Sequence, residues 1–227
     1  MDIHLKKHLE RVAKKLDEIP EEKIAVVPKE IAVPLLQKLS YTTNEQVAEL
    51  YVNLLTSAAN ENTASNAHPA FVQMVERLSA DEAKIIDFIK DIDELNYLHL
   101  QVDYGPPKFK QAYLLKYVSE LDELNLDFPK NITAYLSNLV SMGILIDIKI
   151  NYLKHQQYVF NKLREKYKLK FEESEIELKR THPNSSLVWI QSYFEVTPFG
   201  YLFICACTGA IYSEIRVIID NDDFILD

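Results

Sequence analysis

The sequence predicts a mainly helical α+β protein, with a helical unit over residues 1–95 followed by a mixed unit of helices and strands over residues 96–227. Three observations lead to this fold class. The chain of 227 residues contains only four glycines, which favours a helix-rich fold. Apolar residues in the first part of the chain recur with a helical period. Later segments such as WIQSYFEV indicate strands between helices.

The N-terminal unit is predicted to contain five helices. An amphipathic helix begins the chain. Pro28 marks the start of the second helix, which Pro34 either kinks or restarts. Thr43 and Gln46 form a capping box for the third helix, which ends before an exposed polar loop over residues 60–67.

The last two of these helices lie in residues 66–89, around which the chain is organised. Pro69 suits the first turn of a helix, because its missing N–H would have no partner there. Ser79 and Glu82 form a second capping box, and Asp81 adds negative charge at the positive end of the helix dipole. The sequence therefore predicts two helices that meet at a tight corner at Ser79.

The C-terminal unit is predicted to mix strands with helices. One segment, residues 159–169, is ambiguous, since its apolar residues suit a helix and its basic residues alternate as on a strand. The other predicted elements are a strand over 97–104, a helix over 109–124, a helix from Pro129 to Gly143, a strand in ILIDIKI, a strand in WIQSYFEV, a last helix from Thr197 and a strand in the acidic tail, 215–227.

Two motifs give this order a resemblance to a winged helix, a helix-turn-helix variant with a β-hairpin wing. A Leu-rich helix runs into Gly143-Ile144-Leu145, and the returning strand ends in Thr197-Pro198-x-Gly200. The resemblance implies a winged-helix-like unit with a small antiparallel sheet and an insertion near residues 150–185. It implies little about DNA binding, since many winged helices are interaction modules.

Charge and apolar runs restrict the compartment and the class of partner. The net charge of −9 disfavours general binding to nucleic acid or to an anionic membrane. The longest apolar run, residues 201–212, is too short for a membrane span, and the N-terminus lacks the apolar core of a signal peptide. Cys205 and Cys207 are too close for an ordinary disulfide, which fits a reducing compartment. The sequence predicts a cytoplasmic protein.

No set of residues forms an evident active site. His68 is the strongest catalytic candidate because Asp81 and Glu82 are near it in sequence, yet capping explains both carboxylates. His4 and His8 share a helix face without a third metal ligand. The two cysteines suit buried thiols better than a redox pair, and no glycine-rich phosphate loop is present. The sequence thus predicts no catalytic residue, no metal and no cofactor.

The segment from Ile148 to Arg180 is basic within an acidic protein. It has nine Lys and Arg residues against five Glu, a local charge of +4. Five basic residues alternate and form a candidate surface for an anion or a partner: Lys162, Arg164, Lys166, Lys168 and Lys170. Glu173, Glu175 and Glu177 alternate in the same way, so the favoured interpretation is a solvated strand or helix face on which the two series pair, and on strands such pairs would select the register. Contact with phosphates is the alternative.

A set of short motifs is distributed along residues 16–207. They are Ile19-Pro20, Pro28 with Ile31 and Pro34, Tyr41-Thr42, Leu50-Tyr51-x-x-Leu54-Leu55, His68-Pro69-x-Phe71, Leu78-Ser79-x-Asp81-Glu82-Ala83, Thr197-x-Phe199-Gly200-x-x-Phe203 and Cys207. Together they resemble the abortive infection alpha (Abi-alpha) family of bacterial proteins, with the middle of the chain divergent. The resemblance implies a role in phage defence in which the infected cell sacrifices itself. It supplies no catalytic residue to transfer.

These features favour an intracellular phage-defence protein of the abortive-infection type that acts through protein–protein contacts. Its partner would be an unidentified protein or a second copy of the chain. A winged-helix regulator that binds nucleic acid is the second hypothesis. A hydrolase or toxin-like enzyme centred on His68 is the third.

Overall fold

The computed structural model describes residues 3–92, 94–106, 110–149 and 157–210. The α+β class is confirmed, since these residues form nine α-helices and one four-stranded antiparallel sheet. The helices are α1 (Ile3–Leu16), α2 (Lys29–Tyr41), α3 (Glu45–Ala58), α4 (Ala70–Glu76), α5 (Ala80–Ile89), α6 (Ile132–Ser141), α7 (Gln157–Lys166), α8 (Lys168–Thr181) and α9 (Pro198–Thr208). The strands are β1 (Glu94–Asp103), β2 (Gln111–Ser119), β3 (Leu145–Ile148) and β4 (Ser186–Val196), in the order β2-β1-β4-β3.

The chain divides into two compact units, one of residues 78–200 and one that contains the described residues before and after it. The sheet belongs to the unit of residues 78–200. The strand predicted in the tail, residues 215–227, lies outside the described residues.

The unit that contains the N-terminal helices packs around α3. Its buried side chains include Leu35, Leu39, Tyr51, Leu54, Phe71, Val75 and Phe203. A row of ion pairs also joins α1 to α3, in which Arg11 pairs with both Glu45 and Glu49. Lys7 and Lys15 bond the same two carboxylates, at 2.6 and 2.8 Å. Such exposed pairs contribute about 0–1 kcal/mol each, so burial of the apolar residues is the main stabilising term.

Helix starts were predicted with mixed success. The capping box at Ser79 is confirmed: the Ser79 hydroxyl accepts from the Glu82 N–H at 3.3 Å, and the Glu82 carboxylate accepts from the Ser79 N–H at 2.7 Å. The box predicted at Thr43 is wrong by one residue. Asn44 caps α3 instead, with its side chain accepting from the Val47 N–H at 3.0 Å. Asn is preferred over Thr as an N-cap residue.

The helix predicted over residues 109–124 is wrong, because residues 111–119 form β2, which pairs antiparallel with β1. Tyr113 and Tyr117 suggested a helical stripe, since residues four apart share a face of a helix. A spacing of four also keeps both residues on one face of a strand, whose period is two. Pairing with β1 decides between the two periods, and that pairing is not local in sequence.

The ambiguous segment, residues 159–169, is helical and belongs to α7 and α8. These helices cover one face of the sheet. Phe160 and Leu163 of α7 pack with Leu98 and Val118 of the sheet. On α8, Phe171 and Leu178 pack against Leu100, Val102 and Leu187. The apolar period of the segment therefore predicts its structure better than the alternation of its basic residues.

The Gly-Ile-Leu and Thr-Pro-x-Gly motifs are in contact within residues 78–200. Gly143 has φ +71°, which ends α6 and brings the Ile144 N–H within 3.0 Å of the Leu139 carbonyl. The Thr197 N–H donates to the Ile144 carbonyl at 3.0 Å. The Thr197 hydroxyl donates to the Gly143 carbonyl at 2.5 Å and accepts from the Gly200 N–H at 2.8 Å. The backbone N–H and the hydroxyl of Thr197 thus fix the start of α9 to the end of α6.

Candidate functional site

The predicted basic surface is distributed over two helices. α7 carries Lys162, Arg164 and Lys166, and α8 carries Lys168 and Lys170. Residues four apart share a face of a helix, whereas residues two apart point in different directions. The structure therefore brings Lys162 and Lys166 together and directs Arg164 elsewhere.

Acidic side chains accompany these lysines. Lys162 and Lys166 line a small cleft of about 340 Å³ together with Glu120 and Glu123. The ammonium of Lys166 lies 3.3 Å from the Glu123 carboxylate. The strand form of the predicted pairing is wrong, because Glu173, Glu175 and Glu177 lie within α8. Glutamates from elsewhere in the unit thus neutralise part of the basic segment.

α8 turns two apolar side chains towards solvent. Leu169 is 75% exposed and Ile176 is 72% exposed, although Phe171 and Leu178 of the same helix pack on the sheet. The seven-residue spacing places Leu169 and Ile176 on one face of the helix. Exposed apolar residues at this spacing are typical of a helix that packs against another helix or protein.

A second candidate site is a cleft of about 450 Å³ on the other face of the sheet. Alternation along β1 separates the two faces, since Leu98 and Leu100 point towards α7 and α8 whereas Tyr97 and His99 point away. The volume lies within the range of ligand-binding clefts. Its lining includes Tyr97, His99, Tyr113, Lys116, Asp147 and Lys149. No local pattern in the sequence indicates this cleft, because its residues come from separate strands.

His99 lies in this cleft beside a β-bulge. Lys116 and Tyr117 of β2 together lie opposite His99 of β1, and Tyr117 has φ +52°, which is uncommon for a bulky residue. The Tyr117 N–H donates to Nδ1 of His99 at 3.0 Å, so the neutral ring carries its proton on Nε2. Burial lowers the pKa of His99 to about 4. At neutral pH the ring is therefore an uncharged hydrogen-bond donor.

Tyr97 connects the cleft to β3. Its hydroxyl donates to Oδ1 of Asp147 at 2.6 Å, and its ring centroid lies 4.9 Å from that of His99 and 5.0 Å from that of Tyr117. Burial and the bond to Asp147 raise the pKa of Tyr97. The phenol therefore stays protonated and keeps the carboxylate in place, which makes the pair a fixed part of the cleft rather than a nucleophile.

The shifted pKa of His99 predicts a pH-dependent stability. Because the folded-state pKa is lower than the ordinary value, the unfolded chain takes up a proton first as the pH falls. We expect the free energy of unfolding of the native protein to fall as the pH is lowered from 6.5 to 4. The fall should exceed that of His99→Gln by at most about 2–3 kcal/mol, a figure that allows for solvent screening. Urea denaturation at several pH values measures this difference, and parallel curves for the two proteins would contradict it.

The other residues considered for catalysis have structural partners. Nδ1 of His68 accepts from the Ala70 N–H at 3.1 Å, which agrees with its predicted role at the helix start. Asp81 lies in the first turn of α5 and also bonds a distant segment of the chain. It is only 2% exposed and accepts from the N–H groups of Asp127 and Phe128 at 2.7 and 2.8 Å. The sequence gives no local signal for these partners, because they lie more than forty positions away.

The predicted buried thiols are confirmed. Cys205 and Cys207 are both buried in α9, and burial raises the pKa of Cys207. His8 is also buried and bonds the Thr42 carbonyl at 3.0 Å. Within residues 3–92, 94–106, 110–149 and 157–210, no three His, Cys, Asp or Glu side chains form a group that could hold a metal ion. In the same residues, no helix has the length and apolar character needed to cross a membrane.

Comparison with known proteins gives one family. A family model described as abortive infection alpha matches residues 1–207. No curated protein matches the chain. Among solved structures, the chain is similar to an uncharacterized protein from the hydrocarbon-degrading marine bacterium Alcanivorax borkumensis SK2, with 18% sequence identity and a TM-score of 0.34. That similarity covers 65% of this chain and 96% of the other chain.

Proposed function

The chain belongs to the abortive infection alpha family, and we propose that it acts inside the infected cell in phage defence by binding another protein through the outer face of α8. The observation that supports this proposal is the exposure of Leu169 and Ile176 on a helix whose other side is packed on the sheet. Exposed apolar side chains of this size lower the free energy when a partner covers them.

Charge on the same face indicates the kind of partner. Glu172 and Glu173 lie between Leu169 and Ile176 in sequence and are exposed. Two copies of the chain that met through this face would bring four glutamates together, which disfavours self-association. A different protein, with apolar side chains around a lysine or arginine, would match both features. We therefore propose a heterologous partner with a basic centre.

Variants of this face provide the test. We expect Leu169→Glu/Ile176→Glu to abolish phage protection at unchanged abundance and unchanged thermal melt, because it removes the apolar contact. Glu172→Lys/Glu173→Lys should weaken protection by reversing the central charge. The matched control is Glu21→Lys/Glu22→Lys, which reverses an equally adjacent and exposed pair elsewhere in the chain.

Partner capture and sedimentation complete this experiment. A protein cross-linked to the native chain during infection should be lost from Leu169→Glu/Ile176→Glu, reduced in Glu172→Lys/Glu173→Lys and kept in the control. Full protection by both α8 variants would overturn the proposal. Concentration-dependent dimers that the Leu169→Glu/Ile176→Glu change dissociates would replace the heterologous partner with a second copy. Loss of protection in His68→Ala, with abundance unchanged, would instead favour an enzyme.

Nucleic-acid binding is the second hypothesis, and the local charge of +4 over residues 148–180 is the observation that favours it. It depends on the winged-helix-like description of this part of the chain, which stays a prediction. If five basic side chains contact duplex DNA, log K should fall with log salt with a slope of roughly −4 to −5. The glutamates beside Lys162 and Lys166 and the net charge of −9 disfavour this outcome.

A further inference from the structure

The cleft on the sheet face away from α7 and α8 presents an aromatic surface to solvent. Tyr113 of β2 is 49% exposed, although its ring centroid lies only 4.7 Å from that of the buried His99. His99 therefore supports the tyrosine ring, and about half of the Tyr113 surface is exposed to solvent.

Two amines lie at the same cleft. The ammonium of Lys116 lies over the Tyr113 ring, 5.5 Å from its centroid, and that of Lys149, which follows β3, lies 4.0 Å from the Asp147 carboxylate. Asp147 is the one acidic residue among the described lining residues, and the Tyr97 hydroxyl bonds its carboxylate. The cleft therefore carries a positive balance next to an exposed ring, which selects an aromatic ligand with a negative charge.

We propose that this cleft binds a mononucleotide, with its base stacked on Tyr113 and its phosphate held by Lys116 and Lys149. Stacking on tyrosine suits every base, because each has a π face. The side-chain amides of Gln101 and Gln111, which also line the cleft, offer donors and acceptors to the edge of a base. Lysine binds phosphate as a point charge.

The size and chemistry of the cleft disfavour other ligands. A cleft of about 450 Å³ holds a single nucleotide rather than a folded nucleic acid. A purely apolar ligand would leave the amides and amines of the lining without partners. One imidazole and one carboxylate do not suffice for a metal site. None of these lining residues belongs to α8, so the nucleotide proposal is independent of the proposed protein partner.

Calorimetric titration of the full chain tests the proposal. The probes are AMP, GMP, CMP and UMP, each with its nucleoside, and inorganic phosphate. We expect at least one mononucleotide to bind, and we expect its nucleoside and phosphate alone to bind at least tenfold more weakly, because the nucleoside lacks the phosphate and phosphate lacks the base. Absence of measurable heat for all four mononucleotides at millimolar concentration, with the protein folded by circular dichroism, would overturn the proposal.

Variants assign the binding to this cleft. Tyr113→Ala should weaken nucleotide binding roughly 5- to 100-fold, which is the usual range for loss of one stacked base. Lys116→Ala should reduce the preference for nucleotide over nucleoside. The matched control is Leu114→Ala, since Leu114 is adjacent in β2, is 45% exposed and does not line the cleft.

Two results with these variants would contradict the assignment. Native affinity in both Tyr113→Ala and Lys116→Ala would place the nucleotide elsewhere. An affinity for single-stranded RNA that rises with its length, and exceeds that for the mononucleotide, would assign the cleft to a nucleic-acid strand instead.

Discussion

Gly200→Ala should lower the free energy of unfolding by about 3 kcal/mol or more, at the upper end of the cost of overpacking. A Cβ at this position would lie 2.2 Å from the carbonyl oxygen of Ile144 and 2.9 Å from its carbonyl carbon. These are backbone atoms and cannot rotate away, so α9 or the step after α6 would have to move. Helix propensity alone predicts the opposite sign, a gain of about 1 kcal/mol for alanine over glycine within a helix.

Urea denaturation followed by circular dichroism measures this change, with Gly143→Ala as the control. Gly143 has φ +71°, but the nearest atom to an added Cβ is Cδ1 of Phe199 at 4.0 Å. The control therefore tests backbone conformation without a clash and should cost about 1–2 kcal/mol. A stabilised Gly200→Ala protein, or a greater loss for Gly143→Ala, would show that close packing of α9 on Ile144 is not what requires glycine.

Local signals in the sequence were sufficient for several elements of the fold. The capping box at Ser79, the proline at the start of α4 and the glycine after α6 are all confirmed. Each depends on hydrogen bonds or dihedral angles within about five residues. Even at this range competition between neighbours matters, since Asn44 rather than Thr43 caps α3.

The sequence pattern was not sufficient to predict elements whose structure depends on pairing with a distant strand. Tyr113 and Tyr117 have a spacing that suits a helix and a strand equally, and only pairing with β1 makes residues 111–119 a strand. Residues 159–169 show a second such conflict, since their apolar residues indicated a helix and their alternating basic residues a strand, and the structure is helical there. Charged side chains on a solvated surface have little influence on the period, whereas Phe160 and Leu163 have to be buried.

The cleft on the sheet could be predicted only in part. Tyr97 and His99 alternate with Leu98 in the sequence, which indicates that one face of β1 differs in chemistry from the other. The sequence does not show that Tyr113 and Asp147, from two other strands, lie beside them. Strand order and the bulge at Tyr117 determine that arrangement, and neither has a local signature.

Asp81→Ala is the second substitution with a large expected effect, a loss of about 3–5 kcal/mol. The Asp81 carboxylate accepts from the Asp127 and Phe128 N–H groups at 2.7 and 2.8 Å and from the Tyr135 hydroxyl at 2.9 Å. Alanine would leave these donors unpaired, at about 1–3 kcal/mol for each one that water cannot reach. Ser79→Ala is the control, because it removes the cap of α5 alone and should cost about 0.5–2 kcal/mol.

Comparing the stability of the native protein and Asp81→Asn over a range of pH shows how much of the role of Asp81 depends on the charge of its carboxylate. Burial by itself would raise the pKa of Asp81, but the bonds from Asp127, Phe128 and Tyr135 outweigh burial and lower it. Because the folded-state pKa is lowered, the charge stabilises the fold above the ordinary aspartate pKa of about 3.9, and this contribution is lost as the pH falls through the folded-state value. The native protein should therefore lose its advantage over Asp81→Asn in acid. A difference that stays constant from neutral pH down to about pH 3 would mean that hydrogen-bond geometry, and not charge, accounts for the role of Asp81.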